Sequence, residues 1–279
     1  MKKKGFRRSF TKFLLSKRAI ALPLTYLILL VSLITIISAT YSYAVIRIAA
    51  KGASLKASMA KQNMQLLDNA AHAVAWTSGS SEVIYIDDTG GAFKTEPASR
   101  NLIINITEGQ GLNEMVFNGS VGEAFYELES SEVSYAEVYV RGDDRAIINQ
   151  TAFTMTQLYG AIGTNTQNLI LSYRPMATAT LVGTSNDKPL NLVRIYVMTL
   201  NESQNLNIEG SFNLKVTALN TTTVSHQYEF NQSISSLELR VSLSGTSGSV
   251  WLPISCNAQG AVVNLETVVC SIKLQRVEV

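Results

Sequence analysis

Few residue patterns in this sequence could do chemistry, and most of them reduce to turns. Asp88-Thr89-Gly90 matches the triplet used by aspartic proteases. That chemistry needs two carboxylates sharing one proton, and there is no second copy of the triplet. A tight turn accounts for the same three residues. Arg141-Gly142-Asp143 matches an adhesion tripeptide, but beside Asp144 it reads as a charged turn. The two histidines, His72 and His226, and the two cysteines, Cys256 and Cys270, have no zinc-site spacing. His72 reads as a surface or packing residue of a helix. No Gly-rich phosphate loop, Gly-X-Ser-X-Gly elbow or paired metal carboxylates occur. Nothing here names a catalytic residue, a metal or a cofactor, and the expectation is a non-enzymatic chain.

Two kinds of covalent chemistry remain, and both depend on where the chain sits. Asn-X-Ser/Thr sequons stand at Asn105, Asn118, Asn149, Asn201, Asn220 and Asn231, and N-glycosylation requires them outside the cytoplasm. A Cys256–Cys270 disulfide would close a loop of about 15 residues, worth about 3 kcal/mol by chain entropy. It too needs an oxidising, external compartment.

Charge and hydropathy decide the compartment. Residues 1–51 hold ten of the 23 Lys and Arg and none of the 21 Asp and Glu. The remainder is therefore net acidic, a poor surface for nucleic-acid phosphates. From Ala19 to Ile46 no residue is charged, and about 20 apolar residues suffice to cross a bilayer as helix. Eight basic residues, from Lys2 to Arg18, precede the run. That bias puts the N-terminus in the cytoplasm and the rest outside. A cleaved secretory signal would have an apolar region of only about 7–15 residues, although Ser38, Ala39 and Ala44 could offer a cut.

The segment Ser16-Lys17-Arg18-Ala19-Ile20-Ala21-Leu22-Pro23-Leu24 resembles the class III signal of archaeal type IV pilins and archaellins. In that family a basic residue and then Gly or Ala precede the cut, and the apolar helix follows directly. The resemblance implies Arg18 and Ala19 as the recognition pair and Ile20 as the mature N-terminus. It also implies pilin-like subunits or assembly machinery as partners, besides the lipid bilayer. Leu24 stands where many pilins carry Glu. Pro23 is compatible with the start of a helix. The resemblance covers the first 35–60 residues.

Between Arg47 and Trp76 there is no Pro and only Gly52 as glycine. Leu55, Met59, Gln62, Leu66, Leu67, Ala70, Ala73 and Val74 recur at helical spacing, with Lys56, Lys61, Asn63, Asp68 and Asn69 mostly elsewhere. This predicts an amphipathic continuation of the span. From Ile20 to Trp76 such a helix would be about 85 Å long. A break at Lys51-Gly52 is the alternative.

Beyond Ser78-Gly79-Ser80-Ser81 the pattern changes to short alternating segments. A hairpin is expected from Glu82–Asp87, the turn 88–91 and Ala92–Lys94. Further strands are expected over 101–107, 124–128, 136–140, 168–173, 192–200, 211–219, 222–230, 236–243, 249–254 and 261–279. Residues 152–162 read as a short helix or a loop. The fold class is α+β: a long transmembrane and amphipathic helix, then a β-rich, antiparallel, sandwich-like extracellular domain. The chain divides into a basic leader (1–18), a membrane helix (19–46), a stalk helix (47–77) and an outer domain (78–279), with a further boundary considered near Asp187. Three functions fit: a pilin-like surface protein, an uncleaved signal-anchored ectodomain that binds a ligand or partner, and a membrane-tethered hydrolase.

Overall fold

The computed structural model describes residues 17–109, 111–129, 139–149, 154–162, 166–201 and 205–278. The leader up to Ser16, part of the strand expected at 136–140 and part of the short helix or loop expected at 152–162 lie outside them. One helix, α1 (Lys17–Val74), is followed by β1 (Ser81–Ile86), β2 (Ala92–Glu96), β3 (Asn101–Glu108), β4 (Leu112–Ser120), β5 (Glu123–Glu129), β6 (Tyr139–Arg141), β7 (Thr156–Ile162) and β8 (Thr166–Tyr173). Then come β9 (Met176–Ser185), β10 (Lys188–Leu200), β11 (Asn207–Glu209), β12 (Phe212–Phe230), β13 (Ser236–Leu243), β14 (Thr246–Pro253) and β15 (Ala261–Val277). A long N-terminal helix and a large β-rich region thus make up an α+β chain. Contacts divide it after Ala53, into residues up to 53 and residues 54–279.

In the first unit, α1 runs through Gly52 without a break. Its termination in the second unit is a local event. Trp76 takes a left-handed conformation (φ 69°), the usual geometry just past a helix end. Ser80 Oγ then donates to the Val74 carbonyl at 2.7 Å, satisfying one of the last orphan acceptors.

The strands of the second unit form three sheets. The largest has the order β1-β12-β15-β10-β9, the second β11-β2-β5-β8-β7-β6, and the third β14-β13-β3-β4. The expected β1–β2 hairpin is not formed. β1 pairs with β12 in the first sheet, and β2 pairs with β5 and β11 in the second. The reason lies on α1: buried Asn63 donates to the Asp87 carbonyl at 2.9 Å, so the chain leaves β1 against the helix and crosses to another sheet.

Four further differences have equally local causes. Residues 156–162 form a central strand, because Leu158 and Gly160 are buried between β6 and β8. The two strands expected at 211–219 and 222–230 are one, β12, with a bulge between Ala218 and Asn220. Asn186 and Asp187, both at positive φ, turn β9 into β10 as a two-residue hairpin rather than separating subdomains. β10 and β15 pair in parallel over eleven residues, so the sheet is mixed and not purely antiparallel.

Two apolar cores result, and the first sheet serves both. Val193, Ile195 and Val197 of β10, with Ala261, Val263 and Leu265 of β15, face the third sheet. Met198 and Leu200, with Cys270, Ile272 and Leu274, project from the opposite face into the core that holds α1 and the second sheet. Successive side chains alternate faces, so each long strand switches its buried set midway.

The junction feeding β15 is tight. Gly260 sits at φ 107°, and a Cβ there would lie 1.9 Å from the Phe230 carbonyl oxygen. Gly260→Ala is expected to destabilise the fold by about 1–3 kcal/mol, read as a lower denaturation midpoint. An unchanged midpoint would show that the β12–β15 end tolerates a side chain.

Candidate functional site

In α1, every large apolar residue from Leu24 to Ile48 is exposed within the structure, for instance Leu30 at 55% and Ile36 at 61%. A helix apolar on all sides needs an apolar surrounding, and this one is long and apolar enough to cross a membrane. Three of its hydroxyls turn inward. Ser32 donates to Leu29 O at 2.9 Å, and Thr35 and Thr40 donate to Val31 O and Ile36 O at 2.8 Å. These three are thereby satisfied within the helix, as hydrocarbon would require. At the far end Arg47 donates to Tyr43 Oη at 2.9 Å and lies over its ring at 5.1 Å, an amphipathic pair suited to a membrane–water boundary.

Arg18, Ala19 and Ile20 lie in the first turn of the same helix. Pro23 lies inside it. Proline has no N–H, so the carbonyl four residues earlier, that of Ala19, receives no helical hydrogen bond from it. Ala19 supplies the carbonyl of the Ala19–Ile20 peptide.

The second unit holds a buried polar network that the sequence pattern missed. The expected apolar face of α1 is rotated: Leu55 and Leu66 are exposed, while Ala60, Met64, Leu67, Ala71, Val74 and Ala75 are buried. Asp68 lies on that buried face with no exposure. Thr156 Oγ1 donates to Asp68 Oδ1 at 2.7 Å, and Arg141 donates to Asp68 Oδ2 at 2.5 Å. His72 Nε2 lies 2.9 Å from Thr156 Oγ1. Since the threonine proton is given to Asp68, His72 must donate to Thr156. It therefore cannot act as the base for that hydroxyl, and the Thr–His–Asp cluster is a clamp rather than a nucleophile. Burial lowers the His72 pKa, outweighing the pull of Asp68. Tyr173 packs edge-on to His72 at 5.9 Å, and burial pushes its phenol up. A polar residue at i, i+4 from a histidine was the available signal, and hydropathy alone placed it on the wrong face.

The neighbouring loop is held by a buried cation. Arg174, 1% exposed, donates to Asp143 Oδ1, to the Arg145 carbonyl at 3.0 Å and to the Thr154 carbonyl at 3.1 Å. Hydrogen bonds from Arg145 and Arg174 hold the Asp143 carboxyl well below its ordinary range. Both ends of the Arg141-Gly142-Asp143 tripeptide are thus engaged inside the fold. Asp88 forms a turn of its own, accepting from Gly90 N at 2.7 Å.

The expected disulfide is not formed: Cys256 and Cys270 are free. Cys270 is buried in the α1 core, and Cys256 packs beside the other core, 3.2 Å from Ser233 Oγ. Instead of a hairpin loop between them, β15 runs straight from Ala261. At about 3.3 Å per residue that strand carries Cys270 beyond bonding reach. Of the sequons, Asn118, Asn149, Asn220 and Asn231 are exposed, and Asn105 and Asn201 are half-buried. No group of three or more His, Cys, Asp or Glu suited to a metal occurs among the described residues.

No protein-family model matches the chain, and neither curated proteins nor solved structures give a match.

Two outcomes are expected of the network. Asp68→Ala leaves Arg141 and Thr156 without their acceptor. It should cost about 2–4 kcal/mol in chemical denaturation, below the full cost of a broken buried pair because Arg141 is partly solvated. Acidification should act through His72. Above its unfolded pKa of 6.5 the ring is neutral in both states. As pH falls through 6.5 the unfolded chain takes up a proton that the folded chain refuses, so stability declines. His72→Gln should flatten that decline between about pH 6.5 and the lowered folded pKa. Asp143 contributes to a separate fall, only below 3.8.

Proposed function

We propose that this chain is a non-enzymatic, pilin-like archaeal surface protein. Residues 19–46 anchor it in the membrane with the N-terminus cytoplasmic, and the β-rich region, sandwich-like where the first and third sheets share a core, is displayed outside for surface structure or adhesion. The observation that carries this reading is a helix apolar on every side, with the hydroxyls of Ser32, Thr35 and Thr40 satisfied internally. It starts at the Arg18-Ala19/Ile20 junction behind a basic leader. The Ala19 carbonyl, to which Pro23 cannot donate, supports it further. A peptidase cutting Ala19–Ile20 would meet a carbonyl that the helix does not hold, because Pro23 stands four residues on.

A second reading, an uncleaved signal-anchored ectodomain, is favoured by one feature. Leu24 offers no charge to guide docking into a filament. The two readings separate on the mature N-terminus. Mass spectrometry should find Ile20; an intact Met1, or a cut beyond residue 40, would overturn the class III assignment. Pro23→Ala restores the N–H and should slow conversion several-fold in a pulse-chase experiment, while equal rates would discard the carbonyl argument.

Glycosylation belongs to the same proposal. Glycopeptide analysis of native material should find sugar at some of the exposed sites Asn118, Asn149, Asn220 and Asn231. Asn105 should be bare, because it lies in the central strand β3 between β13 and β4.

A further inference from the structure

One open cleft of the second unit is unrelated to the anchor, the leader or the Asp68 network. It encloses about 600 Å³ where the second sheet meets the β13–β14 turn and the start of β3. That volume falls in the range of small-molecule sites.

Its aromatic wall is built by register. Tyr139 of β6 and Tyr159 of β7 are directly paired, their ring centroids 5.4 Å apart and tilted by 38°. Tyr139 is 36% exposed, so part of this wall is open to a ligand.

The polar wall is mixed in sign. Glu123 stands at the start of β5, Asp144 follows β6, and Arg100 precedes β3. Arg100 spends one guanidinium nitrogen on Ser172 Oγ, and its charge offsets part of the burial that raises the Glu123 carboxyl. Gln157 is 2% exposed and gives its amide nitrogen to the Asp143 and Arg145 carbonyls. Its Oε1 has no partner among the described residues. Two lining residues are also held in a left-handed backbone, Arg100 at φ 57° and Ser244 at φ 47°. Such strain in non-glycine residues persists where the surroundings impose it, and it clusters at ligand sites.

These groups define the ligand by exclusion and by fit. Two carboxylates disfavour an anion, and the Arg100 guanidinium disfavours a cation. The charged lining disfavours a purely apolar molecule. A neutral molecule with many hydroxyls and exposed C–H faces meets every wall. Its hydroxyls donate to Glu123 and Asp144 and accept from Arg100, and its C–H faces lie on the tyrosine rings. We propose that this cleft is a binding site for a neutral saccharide. The site goes beyond the anchor-and-display reading and would stand in a chain whose leader is never cut.

The test uses the full chain in nanodiscs, free of sugar detergents, on an array of neutral and charged glycans, with hits titrated by calorimetry. At least one neutral glycan should bind saturably. Tyr139→Ala and Asp144→Ala should each weaken it tenfold or more. Tyr139→Phe, which keeps the ring, should stay within about threefold. Affinity should change less than twofold between 0.05 and 0.5 M salt, because a neutral ligand has no charge to screen. Thermal unfolding of each variant reports whether it is folded, and the Phe and Ala variants at position 139 share any backbone effect. No saturable neutral glycan would overturn the proposal. So would binding indifferent to both alanine variants, or binding restricted to charged glycans and lost in salt.

Discussion

The buried stripe at the end of α1 is the constraint on which the β-rich unit depends. Ala60, Met64, Leu67, Ala71, Val74 and Ala75 line one buried face of the helix. The first sheet can cover one side of them with Leu214, Val216 and Ile272, and the second sheet covers another with Tyr126, Leu158 and Leu171. Without the helix that core would have no centre, and without the sheets the stripe would face solvent.

Asp68 gives this packing its register. A carboxylate on the buried face is costly unless its oxygens are matched. Thr156 and Arg141, from two neighbouring strands, match them in only one placement of the helix. Such a group contributes little net stability against an apolar substitute, yet a displaced helix would strand its charge. The same logic extends outward. Arg141 is held by Asp68 and Asp143 by Arg174, so the segment after β6 that also carries Asp144 of the cleft is tied to the helix at Arg141 and to the β8–β9 connection at Asp143.

The first sheet solves a different problem. A single sheet serving two cores must bury one face at one end and the other face at the other. β10 and β15 do this in step, because parallel pairing keeps their registers locked over eleven residues. β12 stays paired with β15 beyond its bulge near Leu219, but its residues there turn mostly exposed.

Local patterns were readable from sequence alone. The uncharged run from Ala19 to Ile46, the basic flank, the helix end at the Ser-Gly cluster and the alternation in 212–218, 236–243 and 268–274 each concern residues close in the chain. They follow from hydropathy, charge and periods of 3.6 and 2, with no need of a partner. What only the tertiary structure decided is non-local. A period of two says which residues share a face, not which strand lies beside them, so β1 joined β12 and not β2. Spacing marked Cys256 and Cys270 as a loop, while an unbroken β15 drew them apart. Hydropathy set Asp68 on the polar side of α1, yet Arg141 and Thr156, more than seventy residues on, made burial the better place for its charge. The cleft has no signature in sequence, because Arg100, Glu123, Tyr139 and Tyr159 meet only where the second and third sheets come together.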